Sequence, residues 1–145
     1  PVSFQTRDIT GKHALRYITC PEIREKIQHK TIFYYSGDIR DSETECICVE
    51  GATDAWRFGD RTIAVFGIKY TKHQVHAISQ KFKRVFIVFD DDPQAIVQSK
   101  KLQAELLLRN VDAYSIKIKG DPGDMPQSEA DDLKRELLGN GRKQA

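Results

Sequence analysis

An apolar stretch that runs directly into three acids constrains this chain more than any other feature. Residues 85–89 read Val-Phe-Ile-Val-Phe and are followed by Asp90, Asp91 and Asp92. A short, continuous apolar run is typical of a strand that is buried on both faces, as strands are in a parallel sheet. The sequence therefore predicts a central strand here, with carboxylates at its carboxyl end.

Strand and helix patterns alternate on both sides of that strand. Further strand patterns cover 46–50, 61–67 and 111–119, and helix patterns cover 53–60, 71–82, 94–110 and 128–139. Strands that alternate with helices at this interval are typical of βαβ units, and so of a parallel sheet. The predicted fold class is α/β, with a mainly parallel four-stranded sheet flanked by helices.

The first forty residues follow a different pattern. Two alternating, strand-like segments flank a Thr-Gly-Lys turn at 10–12, and a short helical or irregular segment opens at Pro21. A polar stretch at 36–45 then reads as a connection. We therefore predict three parts: a β-hairpin and irregular segment over 1–42, the α/β domain over 43–140 and a polar tail over 141–145.

Charge and apolar content exclude several classes of protein. The chain has 23 Lys and Arg against 21 Asp and Glu, a formal net charge of +2. This near balance excludes a polycation and a disordered acidic tail, so nucleic acid would be bound only through local patches. No apolar run approaches the ~18–20 residues that span a bilayer. No leader sequence is recognisable, so we expect a cytoplasmic protein without a membrane partner.

The cysteines predict core packing rather than a disulfide or a zinc site. There are three of them, an odd number, and no second pair accompanies Cys46 and Cys48. These two lie two positions apart in a predicted strand and therefore share one face. We expect both to be small buried residues.

Acidic residues follow three of the four predicted strands. Ligands of an open parallel sheet bind beyond the carboxyl ends of its strands, so side chains at those ends should converge. The acids that meet this condition are Glu50 after the first strand, Asp90 and Asp92 after the third, and Asp121 and Asp124 after the fourth. A cluster of oxygen ligands without Cys or His suits a hard cation, with Mg²⁺ or Mn²⁺ the best match.

Spacing within the cluster sharpens this prediction. Asp90 and Asp92 are two apart in an extended chain and project to the same side. Gly51 allows a close approach of the backbone beside Glu50, which suits a bound phosphate. The alternative is that each acid forms a turn or caps a helix.

The predicted chemistry is metal-assisted transfer or hydrolysis at phosphorus. A carboxylate-bound Mg²⁺ completes its coordination with waters and substrate phosphates, and it polarises the phosphate while activating an oxygen nucleophile. The chain has no G-x-x-x-x-G-K-[ST] motif, which excludes a P-loop NTPase.

The arrangement of Glu50-Gly51 within VEGATDAW and Asp90-x-Asp92 within FIVFDDDPQA resembles the signature of the Toprim domain. That Rossmann-like domain is shared by DNA primases, topoisomerases and certain nucleases. Asp54 stands where the acid of the family's E-G-x-x-D pattern falls. The resemblance implies that Glu50, Asp90 and Asp92 are catalytic and hold the metals, with Asp54 as a further residue of the metal site.

The N-terminal segment is most similar to the primase branch of this family. LRYITCPE resembles the primase K-Y-L-N-S-P-E segment, and His29-Lys30 resembles its F-H-K-G. The resemblance implies that Lys30 faces the nucleotide or the metal, and that Arg16 and Tyr17 face the template. It also implies RNA primer synthesis from nucleoside triphosphates on single-stranded DNA, with other domains of a longer primase-like protein or replication proteins as partners.

Two other functions remain open at this point. The same carboxylates could direct water in a metal-dependent nuclease, or the domain could bind nucleic acid without catalysis. Basic residues near the predicted site, Lys69 among them, could contact phosphates. Four aromatic residues could stack on bases, although packing in the core is the alternative for each of them: Tyr17, Tyr34, Tyr35 and Trp56.

Overall fold

A five-stranded sheet forms the centre of the fold. The structure is a computed structural model that describes residues 3–15, 17–37, 40 and 42–139, without the side chain of Tyr17. The predicted role of Arg16 and the predicted tail over 141–145 lie outside these residues. In chain order, the strands are β1 (Gln5–Arg7), β2 (Tyr17–Thr19), β3 (Tyr34–Ser36), β4 (Glu45–Val49), β5 (Thr62–Ala64), β6 (Arg84–Ile87) and β7 (Asp112–Ser115).

Helices cover both faces of this sheet. Short 3₁₀ turns occur at Glu22–Arg24, His29–Thr31 and Pro122–Asp124. The four longer helices are α1 (Ala52–Phe58), α2 (Lys72–Lys81), α3 (Pro93–Leu107) and α4 (Gln127–Gly139).

The sheet is mainly parallel, which confirms the predicted α/β class. Its strand order is β3-β5-β4-β6-β7, and β4 pairs in parallel with both β5 and β6. β1 and β2 form a separate antiparallel hairpin, as expected for the N-terminal segment.

The sheet has one strand more than predicted. β3 pairs antiparallel with β5 at the edge of the sheet. It is only three residues long and ends at Ser36, where the polar stretch predicted to be a connection begins, so it carries too little alternation to be recognised. The segment 1–42 thus contributes an edge strand to the sheet of the α/β domain.

Side chains of β4 alternate between two cores, one on each face of the sheet. Cys46 and Cys48 are fully buried against residues of α2 and α3, whereas Ile47 and Val49 pack with residues of α1 and α4. Both cysteines are free thiols in the core, as predicted. β4 is therefore fixed from both sides, and so is the residue that follows it, Glu50.

Two of the helices begin after a residue whose side chain caps them. Asp92 caps α3, and Thr71 caps α2 by accepting a hydrogen bond from the N–H of Gln74.

Among the described residues, no helix is long and apolar enough to cross a membrane.

Candidate metal centre

Glu50, Asp90 and Asp92 converge at the carboxyl edge of the sheet. One carboxylate oxygen from each lies within 4.8 Å of the others. The convergence follows from the parallel pairing of β4 with β6, which brings the ends of these strands side by side. The backbone N–H of Asp90 donates to Oε1 of Glu50 at 3.1 Å, which locks the two strand ends together.

Asp92 both caps a helix and belongs to the carboxylate cluster. Its Oδ1 accepts hydrogen bonds from the N–H groups of Gln94 at 2.8 Å and Ala95 at 3.0 Å, at the first turn of α3. The expectation that single acids cap helices is therefore met by Asp92, yet the same carboxylate belongs to the cluster. The cap bonds hold this exposed side chain in a fixed orientation toward Glu50 and Asp90.

The environment of Glu50 makes its ionisation costly. Burial, together with the negative charges of Asp90, Asp54 and Asp92, raises the pKa of its carboxyl group to about 7, against the hydrogen bond from the Asp90 N–H, which lowers it. A divalent cation would reverse this balance, because it favours the charged form of every carboxylate that it touches.

Glu50 and Asp90 line a small cleft with a volume of about 270 Å³. A second group of acids lines this cleft too. Asp54 is buried, and its Oδ2 accepts a hydrogen bond from the N–H of Gly51 at 2.8 Å. Burial raises the pKa of this carboxyl group as well. Asp121 and Asp124 line the cleft as well.

Gly123 allows the acidic groups to approach one another. A Cβ atom at this position would lie 2.8 Å from Oδ1 of Asp54 and 3.1 Å from Oδ1 of Asp121. The N–H of Gly123 also donates to that Oδ1 of Asp121, at 2.6 Å. The structure thus brings Asp54, Asp121 and Asp124 to the cleft, while the close triplet of oxygens within the described chain is that of Glu50, Asp90 and Asp92.

Lys30 lies in an unexpected environment. Its Nζ donates to the carbonyl oxygens of Phe66 at 2.8 Å and Lys69 at 3.0 Å, and the carbonyl of Val65 is 3.5 Å away. Partial burial lowers the pKa of this amine. The side chain of Lys69, by contrast, is exposed.

The loop that Lys30 holds forms one wall of the acidic cleft. Phe66 has a φ of 61° and Gly67 a φ of 104°, so two consecutive residues adopt the left-handed region. Phe66 and Gly67 both line the cleft, and the N–H of Gly67 donates to the carbonyl oxygen of Glu50 at 2.8 Å. Such a conformation is kept in a non-glycine residue only where its surroundings impose it.

Among the cleft residues that the sequence did not indicate are Gln5 and Arg7 of β1. They are two apart on one strand and therefore share a face. The charge of Arg7 acts to lower the pKa of Asp54, which places a cation at the rim of the acidic group. The alternation of β1 was the available signal, but nothing in it indicated which face would meet the cleft.

Comparison with known proteins finds similar structures but no similar sequences. No protein-family model matches the chain, and no curated protein matches its sequence. Among solved structures, it is similar to the Aquifex aeolicus primase (zinc-binding and RNA polymerase domains), with a TM-score of 0.78 and 22% identity over 96% of this chain and 36% of that one.

Two further structures agree with the first. A DNA primase domain from Pseudomonas aeruginosa has a TM-score of 0.69 and 18% identity, over 94% of this chain and 46% of that one. The DnaG primase catalytic domain bound to ssDNA has a TM-score of 0.71 and 13% identity, over 95% and 47%. The chain thus spans between about a third and a half of the length of these structures, and over nearly all of its own length it has the fold of a DNA primase domain.

Proposed function

We propose that this chain is the Toprim, metal-binding part of a primase-like nucleotidyltransferase that synthesises RNA primers on single-stranded DNA. The observation that carries this proposal is the triplet of carboxylate oxygens within 4.8 Å, at the strand ends of a primase-like fold. The chain spans under half of the similar primases. We therefore include in the proposal that further primase domains supply the remaining contacts, in the cytoplasm, where template and nucleotides are available.

The residues of the triplet fit a divalent metal. The ligands on offer are all carboxylate oxygens, those of Glu50, Asp90 and Asp92. The raised pKa of Glu50 shows that its negative charge is unfavourable in this environment, and a bound cation would stabilise that charge. Bound there, Mg²⁺ or Mn²⁺ supplies Lewis-acid polarisation of a substrate phosphate and lowers the pKa of an attacking hydroxyl.

The chain's own groups orient and balance this centre. Glu50 is fixed by β4 and by the Asp90 N–H, and Asp92 is fixed by its helix-cap bonds. Asp54, Asp121 and Asp124 line the cleft beside Glu50 and Asp90, and their share in metal binding is part of the proposal. The predicted contact of Gly51 with a phosphate is kept as part of the proposal, and the glycine also lets the Asp54 carboxylate approach, since a Cβ atom there would lie 3.1 Å from Oδ2 of Asp54.

Lys30 is a positioning residue in this proposal. Its ammonium group is engaged by carbonyl oxygens of the 65–69 loop, and that loop is hydrogen-bonded to the backbone of Glu50. Lys30 therefore acts on the metal centre through the loop. Lys69, Arg16 and Tyr17 keep their predicted contacts to nucleic acid as part of the proposal.

The first prediction concerns the metal. Asp92→Asn should weaken Mn²⁺ binding at least about tenfold, because a ligand is lost, and it should leave α3 intact, because Asn is also a good cap. Asp91→Asn is the matched control, since it makes the same change in charge one residue away. Calorimetric titration with Mn²⁺ measures both, and equal affinities in the two variants would place the metal elsewhere.

The second prediction concerns pH. The carboxyl group of Glu50 titrates at about 7 when folded, against a usual value of 4.5, so the folded state binds more protons between these values. The free energy of unfolding of the metal-free protein should therefore decrease as pH rises through this range. Glu50→Gln should lose this part of the pH dependence. Urea denaturation in EDTA at both ends of the range tests it, and identical pH profiles would contradict the raised pKa.

The third prediction concerns turnover. Glu50→Gln should reduce primer synthesis roughly 10²–10⁴-fold, the range for loss of a single catalytic acid or base. The assay follows incorporation of ribonucleotides on single-stranded DNA, using this chain joined to the remaining domains of a primase. Binding of the template, measured in parallel, should change little. Wild-type turnover by the variant would contradict a catalytic role for Glu50.

The fourth prediction separates the two roles considered for Lys30. Lys30→Met should weaken Mn²⁺ binding roughly tenfold in the absence of any nucleotide, because the loop beside Glu50 loses its cation. Lys69→Met is the control in the same loop, since that side chain is exposed. Unchanged metal affinity in Lys30→Met, together with weaker binding of nucleotide, would show instead that Lys30 contacts the substrate.

A further inference from the structure

A groove of about 1310 Å³ lies between the β1–β2 hairpin and the edge of the main sheet. The hairpin supplies residues from β1 and the turn that follows it, while β3 and α1 supply the facing wall. Six Phe, Tyr and Trp rings are part of the lining: Phe4, Phe33, Tyr34, Tyr35, Trp56 and Phe66. An aromatic groove of this size is not used by the metal centre described above.

Trp56, on α1, is the most exposed of the Phe, Tyr and Trp rings that line the groove. It is the only tryptophan of the sequence, and 64% of its surface remains accessible. Its Nε1 donates to the hydroxyl of Tyr34 at 2.8 Å, which fixes the ring at the wall of the groove. Core packing, the alternative for these aromatic residues, applies to Tyr35, which stacks on Phe82, and not to Trp56.

The groove opens into the acidic cleft. Five residues line both cavities: Gln5, Arg7, Thr53, Phe66 and Gly123. Thr53 and Trp56 are three apart on α1 and therefore lie on the same face, about one helical turn from each other. A ligand that covers Trp56 would thus reach the carboxylates after passing the guanidinium group of Arg7.

These features define the chemistry of an occupant. It needs flat, apolar groups to stack on exposed rings, and it needs anionic groups to pass Arg7 toward a centre that binds cations. A single strand of nucleic acid has both, and aromatic rings beside a cationic track are the usual means of binding one. The volume exceeds the ~300–1,000 Å³ of pockets for single small molecules, which favours a strand over one nucleotide.

We propose that this groove binds a single strand of nucleic acid, with an unpaired base stacked on Trp56 and the backbone running past Arg7 to the acidic cleft. The inference rests on the proposed function, because it assigns a path to the strand on which that function acts. Tyr34 positions the indole ring through the Nε1 hydrogen bond, and Phe66 extends the stacking surface toward the metal centre.

Intrinsic fluorescence tests the proposal directly, because Trp56 is the only indole in the chain. The protein is titrated with an oligothymidylate of about eight nucleotides in EDTA. We expect saturable quenching that weakens as salt increases. Absence of quenching would overturn the proposal, and so would equal affinity for uridine triphosphate, which would mean a site for mononucleotides.

Variants measure the contribution of the ring. With a fluorescein-labelled strand, anisotropy should show a roughly 5–150-fold loss of affinity for Trp56→Ala, the fold-change that corresponds to one base stack. Trp56→Phe should restore most of it. Leu108→Ala is the control, an exposed apolar side chain (86% accessible) that is not part of the groove. Equal affinity of wild type and Trp56→Ala would overturn the proposal.

The outcome is separable from that of the proposed function. EDTA removes divalent metal, so the titration does not depend on the metal centre. Quenching without metal binding or primer synthesis would contradict the proposed function and leave the groove standing. Primer synthesis without quenching would contradict the groove alone.

Discussion

The parallel pairing of β4 with β6 is the interaction on which the rest of the site depends. It places Glu50 beside Asp90, and the Asp90 N–H then donates to the Glu50 carboxylate. Because β4 is buried on both faces, neither strand end can move away to relieve the repulsion between the carboxylates. The fold thus holds like charges together, and burial raises the pKa of Glu50 to about 7. A rigid cluster of this kind is suited to a divalent cation.

The N-terminal segment holds the loop beside Glu50 through hydrogen bonds to its main-chain carbonyls. Lys30 bonds to carbonyl oxygens of the 65–69 loop, and its own carbonyl accepts a hydrogen bond from the hydroxyl of Thr71. Nε2 of Gln74, which is fully buried, donates to the carbonyl oxygens of Ile32 and Val65. This network joins the segment before β3 to the start of α2. It explains how a loop with two left-handed residues keeps one conformation beside Glu50.

The candidate metal centre was more predictable from the sequence than its surroundings. Continuous apolar strands that end in acids indicate both a parallel sheet and the edge at which Glu50, Asp90 and Asp92 meet. β3 escaped prediction because three residues at a sheet edge carry little pattern. The partners of Lys30 are backbone carbonyls 35–39 residues away, which no side-chain motif encodes. Trp56 shares its groove with residues of the hairpin, and this juxtaposition is likewise a tertiary property.

The central claim is that these three carboxylates hold a divalent metal ion. The most direct test is diffraction from a crystal of the chain soaked in Mn²⁺ and measured at the manganese absorption edge. The account predicts an anomalous peak within bonding distance of oxygens from Glu50, Asp90 and Asp92. A peak bound only by Asp54, Asp121 and Asp124, or no ordered peak at saturating Mn²⁺, would contradict it.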